Sequence, residues 1–366
     1  MPTANEEIQD RAIAHAVALE RYSNNVVRRI MAVLGRSDAR LSAELFKVLE
    51  KIGADNFSQT RLESLLTDVR KINKEAYALV KESLTSEIKD LAAYESSWQA
   101  MTIEEAVPVA VNVAAVSGEQ VYAAALKRPF QGVLLKGALD DVDAQTAKRI
   151  RQTIAQGIVE GRTSDQIVRD IRGTRAAKYK DGLLERSRRD VEAIVRTAIG
   201  HTAGMAQDMV MEANADIIKG VRWSSTLDTR TSPTCRPRDG KLYDPVTHKP
   251  IGHAFPWLAG PGRSHWRCRS ASVPVLKGFK ELGLDPNIAD TRASMDGQVP
   301  VELSYGDWLK KQSASRQAEV LGETRAKLFR DGGLKVEDMY SQRGQYLTLD
   351  ELRERDKSAF TKAGIK

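Results

Sequence analysis

Two cysteines and a histidine are the residues of this sequence best suited to chemistry. Cys268 follows His265 by three positions in the stretch PGRSHWRCRS, and Cys235 lies earlier in the chain. Thiolates and imidazoles bind zinc, and a three-residue spacing lets one turn present two ligands to one ion. A closed structural zinc site needs a fourth ligand, for which His248 and His253 are candidates.

The two sulfurs have three ways to stabilise the fold, and the sequence leaves all three open. Zinc, a disulfide between Cys235 and Cys268, or plain packing of two buried thiols would each close the proline- and glycine-rich loop 236–264. In every case the two sulfurs should lie near each other, with the histidine in the same cluster. We also expect Trp223 and Trp266 to pack around this loop.

Nucleophilic catalysis by Cys268 is not indicated by the sequence. His265 is close in sequence, but the members of a catalytic triad usually come from separate parts of a chain. The sequence has no GxSxG elbow, HExxH motif, glycine-rich phosphate loop or dinucleotide fingerprint. We therefore predict no catalytic residue, no enzymatic activity and no cofactor other than a structural zinc.

Positive charge is concentrated in the same part of the chain. Residues 221–280 hold eleven Lys or Arg against three Asp, a surplus of eight, whereas the whole chain has a net charge of +7. A basic surface of this kind favours electrostatic contact with nucleic-acid phosphates. The predicted contact residues are Arg236, Arg238, Arg263, Arg267 and Arg269.

Other residues of this window are expected to build structure rather than to react. Asp228 and Arg230 are placed to pair with each other or to cap a loop, and Asp239 followed by Gly240 is a turn signal. With the ligand candidates they form the predicted structural cluster: Trp223, Asp228, Arg230, Cys235, Asp239, His265 and Cys268.

Three consecutive segments of different sequence pattern must position these residues. In 1–140 apolar residues recur at helical spacing and predict a helix from near Ser58 to about Trp98, roughly 60 Å long at 1.5 Å per residue. A helix of that length favours packing in an extended bundle or against a partner protein. Helical patterning continues as a bundle through 141–215, and 216–366 mixes short extended segments with helices. The predicted fold class is α+β.

The composition excludes several classes of protein. Two cysteines among 366 residues cannot form a disulfide framework. The N-terminal MPTANEEIQD has neither the basic start nor the apolar core of a secretory signal. The most apolar run, residues 107–116, is far shorter than the ~20 residues that cross a bilayer. We therefore expect no membrane anchor.

Several motifs resemble, in order and spacing, those of the phage Mu F-like minor head proteins, the phage head morphogenesis family. The resemblance covers about residues 141–356 and is carried by WSSTLDTRTSPTCRPRDGKLYD, PGRSHWRCRSASVPV, YGDWLKKQ, VLGETRAKLFRDGG and LTLDELR. Where many members have CxxC and HxxCxC, this chain has Ser232 and Ser270. The matched positions are Trp223, Asp228, Arg230, Thr231, Cys235, Asp239, Gly240, His265, Cys268, Arg269, Trp308 and Leu309.

The resemblance implies a minor capsid protein of a tailed phage that is associated with the portal inside the head and assists head assembly and DNA packaging or delivery. The implied partners are the portal protein, the major capsid or scaffolding protein, and packaged double-stranded DNA. Several copies per virion, assembled in the host cytoplasm, are expected.

The resemblance also implies that the C-terminal domain is distantly like ADP-ribosyltransferases. The Glu-x-Glu pair that those enzymes use is missing from this sequence. The alternative function is a DNA-acting enzyme or toxin-like effector carried in the virion, of nuclease or ADP-ribosyltransferase type.

Overall fold

The computed structural model describes residues 4–52, 59–106, 113–129, 132–277, 291–300, 303–342 and 344–365. Helices form most of the chain up to residue 213, and a small antiparallel sheet with further helices follows. The chain is therefore α+β, as predicted. Residues 107–112 of the apolar run lie outside the described part. Among the described helices, none is both long and apolar enough to cross a bilayer.

The helices that precede the sheet arise from continuous apolar spacing. A helix at Gln59–Ala106, α2, confirms the long helix predicted from near Ser58 to about Trp98, and it continues further because the apolar spacing reaches Ile103. A capping box between Thr163 and Gln166 begins α5. In the described residues these helices are α1 (Ala4–Ile52), α2 (Gln59–Ala106), α3 (Gly118–Lys127), α4 (Leu135–Val159), α5 (Ser164–Arg172) and α6 (Leu183–Ala213).

The chain divides into two compact units that draw on interleaved segments. One unit comprises Met1–Glu20, Ala92–Ala124 and Gly200–Lys366, and the other comprises Arg21–Leu91 and Ala125–Ile199. The helices α1, α2 and α6 each contribute residues to both units. The units therefore do not coincide with the three consecutive segments expected from the sequence, because helical periodicity locates a helix without telling which core it joins.

The unit of Arg21–Leu91 and Ala125–Ile199 has a helical core. Arg188 donates a hydrogen bond of 2.8 Å to the Asp38 carboxylate within this unit. The buried core residues are Leu41, Leu45, Leu49, Leu66, Val69, Ile72, Ile150, Ile154, Ile167, Ile171 and Leu184.

Short antiparallel strands form the sheet of the other unit, in the order β3, β2, β1, β4. These are β1 (Ile218–Ser224), β2 (Leu242–Tyr243), β3 (Pro250–Ile251) and β4 (Ala271–Leu276). Trp223 of β1 lies opposite Ser272 of β4, and Val221 lies opposite Pro274. Proline lacks an amide donor and is tolerated here because β4 is at the edge of this sheet. A separate hairpin follows, formed by β5 (Thr291–Ser294) and β6 (Gly297–Pro300).

Two apolar clusters stabilise the unit that contains the sheet. In the first, Ile8 of α1, Ile103 of α2 and Val210 of α6 belong to one buried cluster with Trp223 and Tyr243. The second includes Trp308 and Leu309. Its helices are α7 (Tyr305–Lys310), α8 (Ala314–Leu321), α9 (Glu323–Arg330), α10 (Leu349–Arg355) and α11 (Lys357–Lys362).

Candidate functional site

Cys235, His265 and Cys268 form one cluster at the base of the loop 236–264. Cys235 directly precedes a 3-10 turn at Arg236–Arg238, and Cys268 lies just before β4. The two Sγ atoms are 3.7 Å apart, and Cys235 Sγ is 3.2 Å from His265 Nε2. All three ligand atoms lie within 4.8 Å of one another, and both cysteines are free thiols. The predicted proximity of the sulfurs and the histidine is confirmed.

The register of the sheet explains why these residues meet. Ser224 at the end of β1 lies opposite Ala271 at the start of β4. The chain segments that extend beyond these two strand ends are therefore adjacent. The Ser225 hydroxyl donates to the carbonyl oxygen of Cys235 at 3.3 Å and fixes the first of these segments. The cluster is thus positioned by backbone pairing and not by a local motif alone.

Hydrogen bonds fix the orientation of the His265 ring. Its Nδ1 lies 3.0 Å from the carbonyl oxygen of Trp266, and because a carbonyl only accepts, Nδ1 carries a hydrogen. Nε2 faces the Ser232 hydroxyl at 2.8 Å and the Cys235 sulfur. Ser232 Oγ also accepts from the backbone N–H of Cys235 at 3.2 Å. Nε2 is therefore the ring nitrogen that is available for a proton or a metal ion.

Burial and proximity determine the protonation of the cluster. Burial raises the pKa of Cys235 well above its usual value, and the neighbouring Cys268 raises it further. The pKa of Cys268 lies well below its usual value because Cys235 hydrogen-bonds to its sulfur, and His265 adds to this effect. Burial lowers the pKa of His265, but the Cys268 sulfur outweighs burial and the net shift is upward. The cluster therefore favours the thiolate form of Cys268 over that of Cys235.

The other two histidines of this region lie outside the cluster. His253 Nε2 is 2.8 Å from the carbonyl oxygen of Leu242. His248 stacks on Trp257, with the ring centroids 4.7 Å apart. In the described part of the chain, Cys235, His265 and Cys268 form the one group of side chains that could hold a metal ion. Neither His248 nor His253 belongs to this group, so the expectation of a histidine as fourth ligand is wrong.

One of the two tryptophans expected around the loop is buried and the other is not. Trp223 is fully buried and packs edge-to-face on Trp257 at a centroid distance of 5.6 Å. Trp266 is 41% exposed. The turn has a positive φ of 59° at Arg267, and it leaves the side chains at 266 and 267 outside while His265 and the following cysteine face inward. The expectation that Trp266 packs in the loop is therefore wrong.

Asp228 anchors the chain that follows β1. Arg269 donates two hydrogen bonds to its carboxylate, at 2.6 and 2.8 Å. The backbone N–H of Arg230 caps the same carboxylate at 3.0 Å, whereas the Arg230 guanidinium lies 3.5 Å away on a side chain that is 78% exposed. The expected loop cap is thus present. The main ionic partner is Arg269, because the pairing of β1 with β4 places Arg269 beside Asp228.

The charge of Asp228 contributes to stability in a pH-dependent way. Burial raises the pKa of Asp228, but the hydrogen bonds and the positive charge of Arg269 outweigh burial and lower it. The stability from a lowered carboxyl pKa is present above the unfolded value of about 3.9 and is lost as the pH falls through the folded value. We expect Asp228→Asn to reduce the free energy of unfolding at neutral pH by about 2 kcal/mol, since hydrogen bonds to charged groups contribute about 1.5–3 kcal/mol.

Urea unfolding of Asp228→Asn and of the unchanged protein across a pH series measures this effect. The difference in unfolding free energy should be constant from neutral pH to about pH 5 and shrink toward pH 3. Asp216→Asn changes an exposed carboxylate of the same unit and should have little effect. A difference that persists undiminished to pH 3 would show that the charge of Asp228 is not what stabilises the fold.

Asp239 connects the sheet to the C-terminal helices. One of its carboxylate oxygens accepts from the backbone N–H of Ser225 at 2.9 Å, and the other accepts from that of Tyr305 at 3.1 Å. Ser225 follows β1, and Tyr305 begins α7. The side chain is buried. Its role in this structure is therefore that of an internal cross-link between two parts of the unit.

Arg238 is fully buried although it carries a charge. Its guanidinium donates to the carbonyl oxygens of Thr234 at 2.6 Å, Pro256 at 2.8 Å and Gln342 at 3.0 Å. It also lies over the Trp223 ring, 5.8 Å from the centroid. Burial lowers the pKa of this arginine. The guanidinium therefore links three separate chain segments.

Arg236 is buried in the same way. It donates to the carbonyl oxygens of Thr231 and Val320, both at 2.8 Å. It also donates to the hydroxyls of Tyr340 at 3.1 Å and Tyr346 at 2.8 Å. These partners join the segment after β1 to the C-terminal helices.

A third arginine, Arg263, forms a buried ion pair with Asp208 of α6. The sequence analysis missed Asp208, although a signal was present: it lies three residues after Met205 on the apolar side of α6.

The predicted nucleic-acid contacts of Arg236, Arg238 and Arg263 are wrong, because a loop region with few apolar residues uses these guanidinium groups as internal cross-links. Of the other two arginines predicted to contact nucleic acid, Arg269 forms an ion pair with Asp228, and Arg267 is exposed.

Comparison with known proteins gives three results. The family described as "Phage Mu protein F like protein" matches residues 148–273. The chain is 24% identical to the "Minor head protein GP7" of Bacillus phage SPP1 over 322 residues, which cover 81% of this chain and 97% of that protein. It is 24% identical to the "NAD(+)–arginine ADP-ribosyltransferase EFV" of Enterococcus faecalis over 212 residues, which cover 57% of this chain and 40% of that protein. No solved structure matches this chain at a comparable level.

The matched range coincides with the site described above. Residues 148–273 begin within α4, include α5, α6 and β1, and end within β4. They contain the whole cluster of Cys235, His265 and Cys268, together with Asp228. The resemblance to the phage Mu F-like minor head proteins that the sequence motifs indicate is confirmed by the match over this range and by the alignment with nearly the full length of a minor head protein.

Proposed function

We propose that this chain is a structural component of the head of a tailed phage, associated with the portal, that acts in head assembly and in packaging or delivery of DNA. The observation that carries the proposal is the alignment with a minor head protein over 97% of that protein's length. The site supports the proposal because its charged residues cross-link the fold. Residence in the virion, at the portal vertex and in several copies per particle, belongs to this proposal.

The helical region of residues 1–140 is the proposed contact surface for the portal, major capsid or scaffolding protein. Tyr94 and Met101 of α2 are 57% and 52% exposed. They are seven residues apart, or about two helical turns, and so share one face of the helix. Aromatic and methionine side chains are enriched at protein interfaces.

Incorporation into heads tests this surface. Heads would be assembled from co-expressed portal, major capsid and scaffolding proteins with the chain carrying Tyr94→Ser and Met101→Ser. Truncating anchors of an interface costs about 2 kcal/mol or more each, so we expect the amount of the chain per particle to fall at least tenfold. Thermal unfolding of the free protein should change little, because both side chains are exposed.

The matched control is Val159→Ser, which removes an exposed apolar side chain, 83% accessible, at the end of α4 and outside residues 1–140. This variant should enter heads normally. Normal incorporation of the Tyr94 and Met101 variant would overturn the proposed contact surface. Absence of the unchanged chain from purified heads would overturn the proposed function itself.

Packaged double-stranded DNA is a partner within the same proposal. The buried arginines are excluded from this role, and the exposed cations among the described residues of the basic window are Arg230, Lys249, Arg267 and Lys277. These lie in loops or turns and not on a recognition helix, which supports electrostatic contact without sequence preference.

The enzymatic alternative is not part of our proposal. The similarity to an ADP-ribosyltransferase covers 40% of that protein, so the chain spans less than half of it. The sequence has no Glu-x-Glu pair. The most reactive group of the cluster, the Cys268 sulfur, is buried beside Cys235. These observations support a structural role.

A further inference from the structure

We propose that Cys235, His265 and Cys268 bind one Zn²⁺ ion, with the fourth coordination position at Ser232 taken by an oxygen ligand. Three ligand atoms converge within 4.8 Å, and both cysteine side chains are buried. The proposal goes beyond the structural role in the phage head and does not depend on it.

Two of the three distances between the ligand atoms are close to those of a tetrahedral zinc site. A Zn–S bond of about 2.3 Å places two sulfurs of a tetrahedron about 3.8 Å apart, and the two Sγ atoms are 3.7 Å apart. Zn–S and Zn–N bonds together place sulfur and nitrogen about 3.5 Å apart, and Cys235 Sγ is 3.2 Å from His265 Nε2. A small outward movement of the imidazole would complete the geometry.

The orientation of His265 is the one that a zinc ligand requires. Metal-binding histidines usually donate their second ring N–H to a carbonyl or carboxylate, which fixes the ring and strengthens the ligand. The carbonyl oxygen of Trp266 accepts from Nδ1 of His265 at 3.0 Å. Nε2 is therefore the metal-facing atom. The side chain of His265 is partly exposed, which gives an ion a path to the buried sulfurs.

Charge balance also favours the ion. A divalent cation with two thiolates and a neutral imidazole has no net charge, so its burial avoids the cost of an isolated buried charge. The same ion would join the segment after β1 to the segment before β4. It would thereby close the loop 236–264, which has little apolar content to fold around.

Ser232 determines how tightly this chain holds the ion. Its hydroxyl lies 2.8 Å from His265 Nε2, and the side chain is partly buried. A neutral hydroxyl, or a water in its place, is a weaker zinc ligand than a thiolate. The site is therefore expected to exchange its ion more readily than a site whose four ligands are all cysteine or histidine. Ser232→Cys should add a third thiolate and close it.

Metal content and cobalt spectroscopy test the proposal on the full chain under reducing conditions. Zinc per chain is measured by mass spectrometry of the purified protein, and Co²⁺ is then added in place of zinc. We expect one ion per chain, sulfur-to-cobalt charge-transfer absorption, and the intense visible bands of tetrahedral Co²⁺. Competition with a chromophoric chelator gives the zinc affinity of each variant.

The variants separate metal binding from general damage to the fold. Cys268→Ser and His265→Gln should weaken zinc binding at least about a hundredfold, and Ser232→Cys should strengthen it at least about tenfold. His253→Gln, a histidine outside the cluster, should leave it unchanged. Because replacing buried Cys268 can disturb folding, the gain with Ser232→Cys is the independent test.

Three results would overturn the proposal. The first is a reduced, folded protein that binds neither zinc nor cobalt, which would show that the loop 236–264 is closed by plain packing of two thiols. The second is a protein that titrates no free thiol before reduction and binds no metal after it, which would show a disulfide as the closure. The third is a Ser232→Cys variant with no gain in affinity.

Discussion

Replacing Arg238 with alanine should lower the free energy of unfolding by about 3–5 kcal/mol, the range for breaking a buried charged network. The guanidinium donates to carbonyl oxygens of Thr234, Pro256 and Gln342, which belong to three separate segments. Truncation leaves all three acceptors without their donor beside a fully buried position. It also removes the planar group that lies over the Trp223 ring.

Urea unfolding followed by tryptophan fluorescence measures the loss. Arg230→Ala removes an exposed guanidinium from the same region and should change stability by no more than about 0.5 kcal/mol. Arg238→Lys keeps the charge but lacks the planar fork that reaches several acceptors, so it should be nearly as destabilising as alanine. A lysine variant of normal stability would show that charge, and not hydrogen-bond geometry, is what the site requires.

A fragment of residues 141–366 should fail to fold cooperatively, although it contains the whole Mu F-like match. The core beneath the sheet includes residues of α1 and α2 that this fragment lacks. Ile8 and Ile103 are almost fully buried in the same cluster as Trp223. Asn5 of α1 also accepts a hydrogen bond of 3.0 Å from the backbone N–H of Leu276 in β4. Removing these helices exposes one side of the sheet's core to water.

Near-ultraviolet circular dichroism and urea unfolding of the fragment and the full chain test this expectation. A smaller change to the same core, made in the full chain, is Ile8→Ala. It should lower the free energy of unfolding by about 2–5 kcal/mol because Ile8 is fully buried. Val17→Ala, at a 43% exposed position of the same helix, is its control and should have little effect. A fragment with a fixed tryptophan signal and a sharp unfolding transition would contradict the assignment of α1 to this core.

Features that depend on local pattern were predictable from the sequence. The length of α2 follows from apolar residues at helical spacing, and the strands β1 and β4 follow from short extended segments with turn residues around them. The cluster of Cys235, His265 and Cys268 was predictable because a long polar loop needs a closure and few residues could provide one. For the helix and the strands, nearby residues determine the outcome, whereas the contact of Cys235 with Cys268 also requires the pairing of β1 with β4.

Features that depend on distant partners were not predictable. Arg238 is buried because carbonyl oxygens of Pro256 and Gln342 face it, and no sequence pattern marks a carbonyl as an arginine partner. From the sequence alone, an arginine-rich loop is therefore interpreted as a nucleic-acid surface. In the structure, the same arginines form internal cross-links. Likewise, one periodic helix such as α1 can serve two cores, since periodicity shows only that a face is apolar.

The interleaved construction of the unit that contains the sheet also affects how the protein is synthesised. Ile8 leaves the ribosome early, but its core neighbours Val273 and Leu276 are made more than 260 residues later. At translation rates of about 5–20 residues per second, the apolar face of α1 waits roughly 15–50 s for its partners. Apolar surface that is exposed during such an interval promotes aggregation. Slow codons placed between α6 and β4 would lengthen the wait and lower the yield of folded protein.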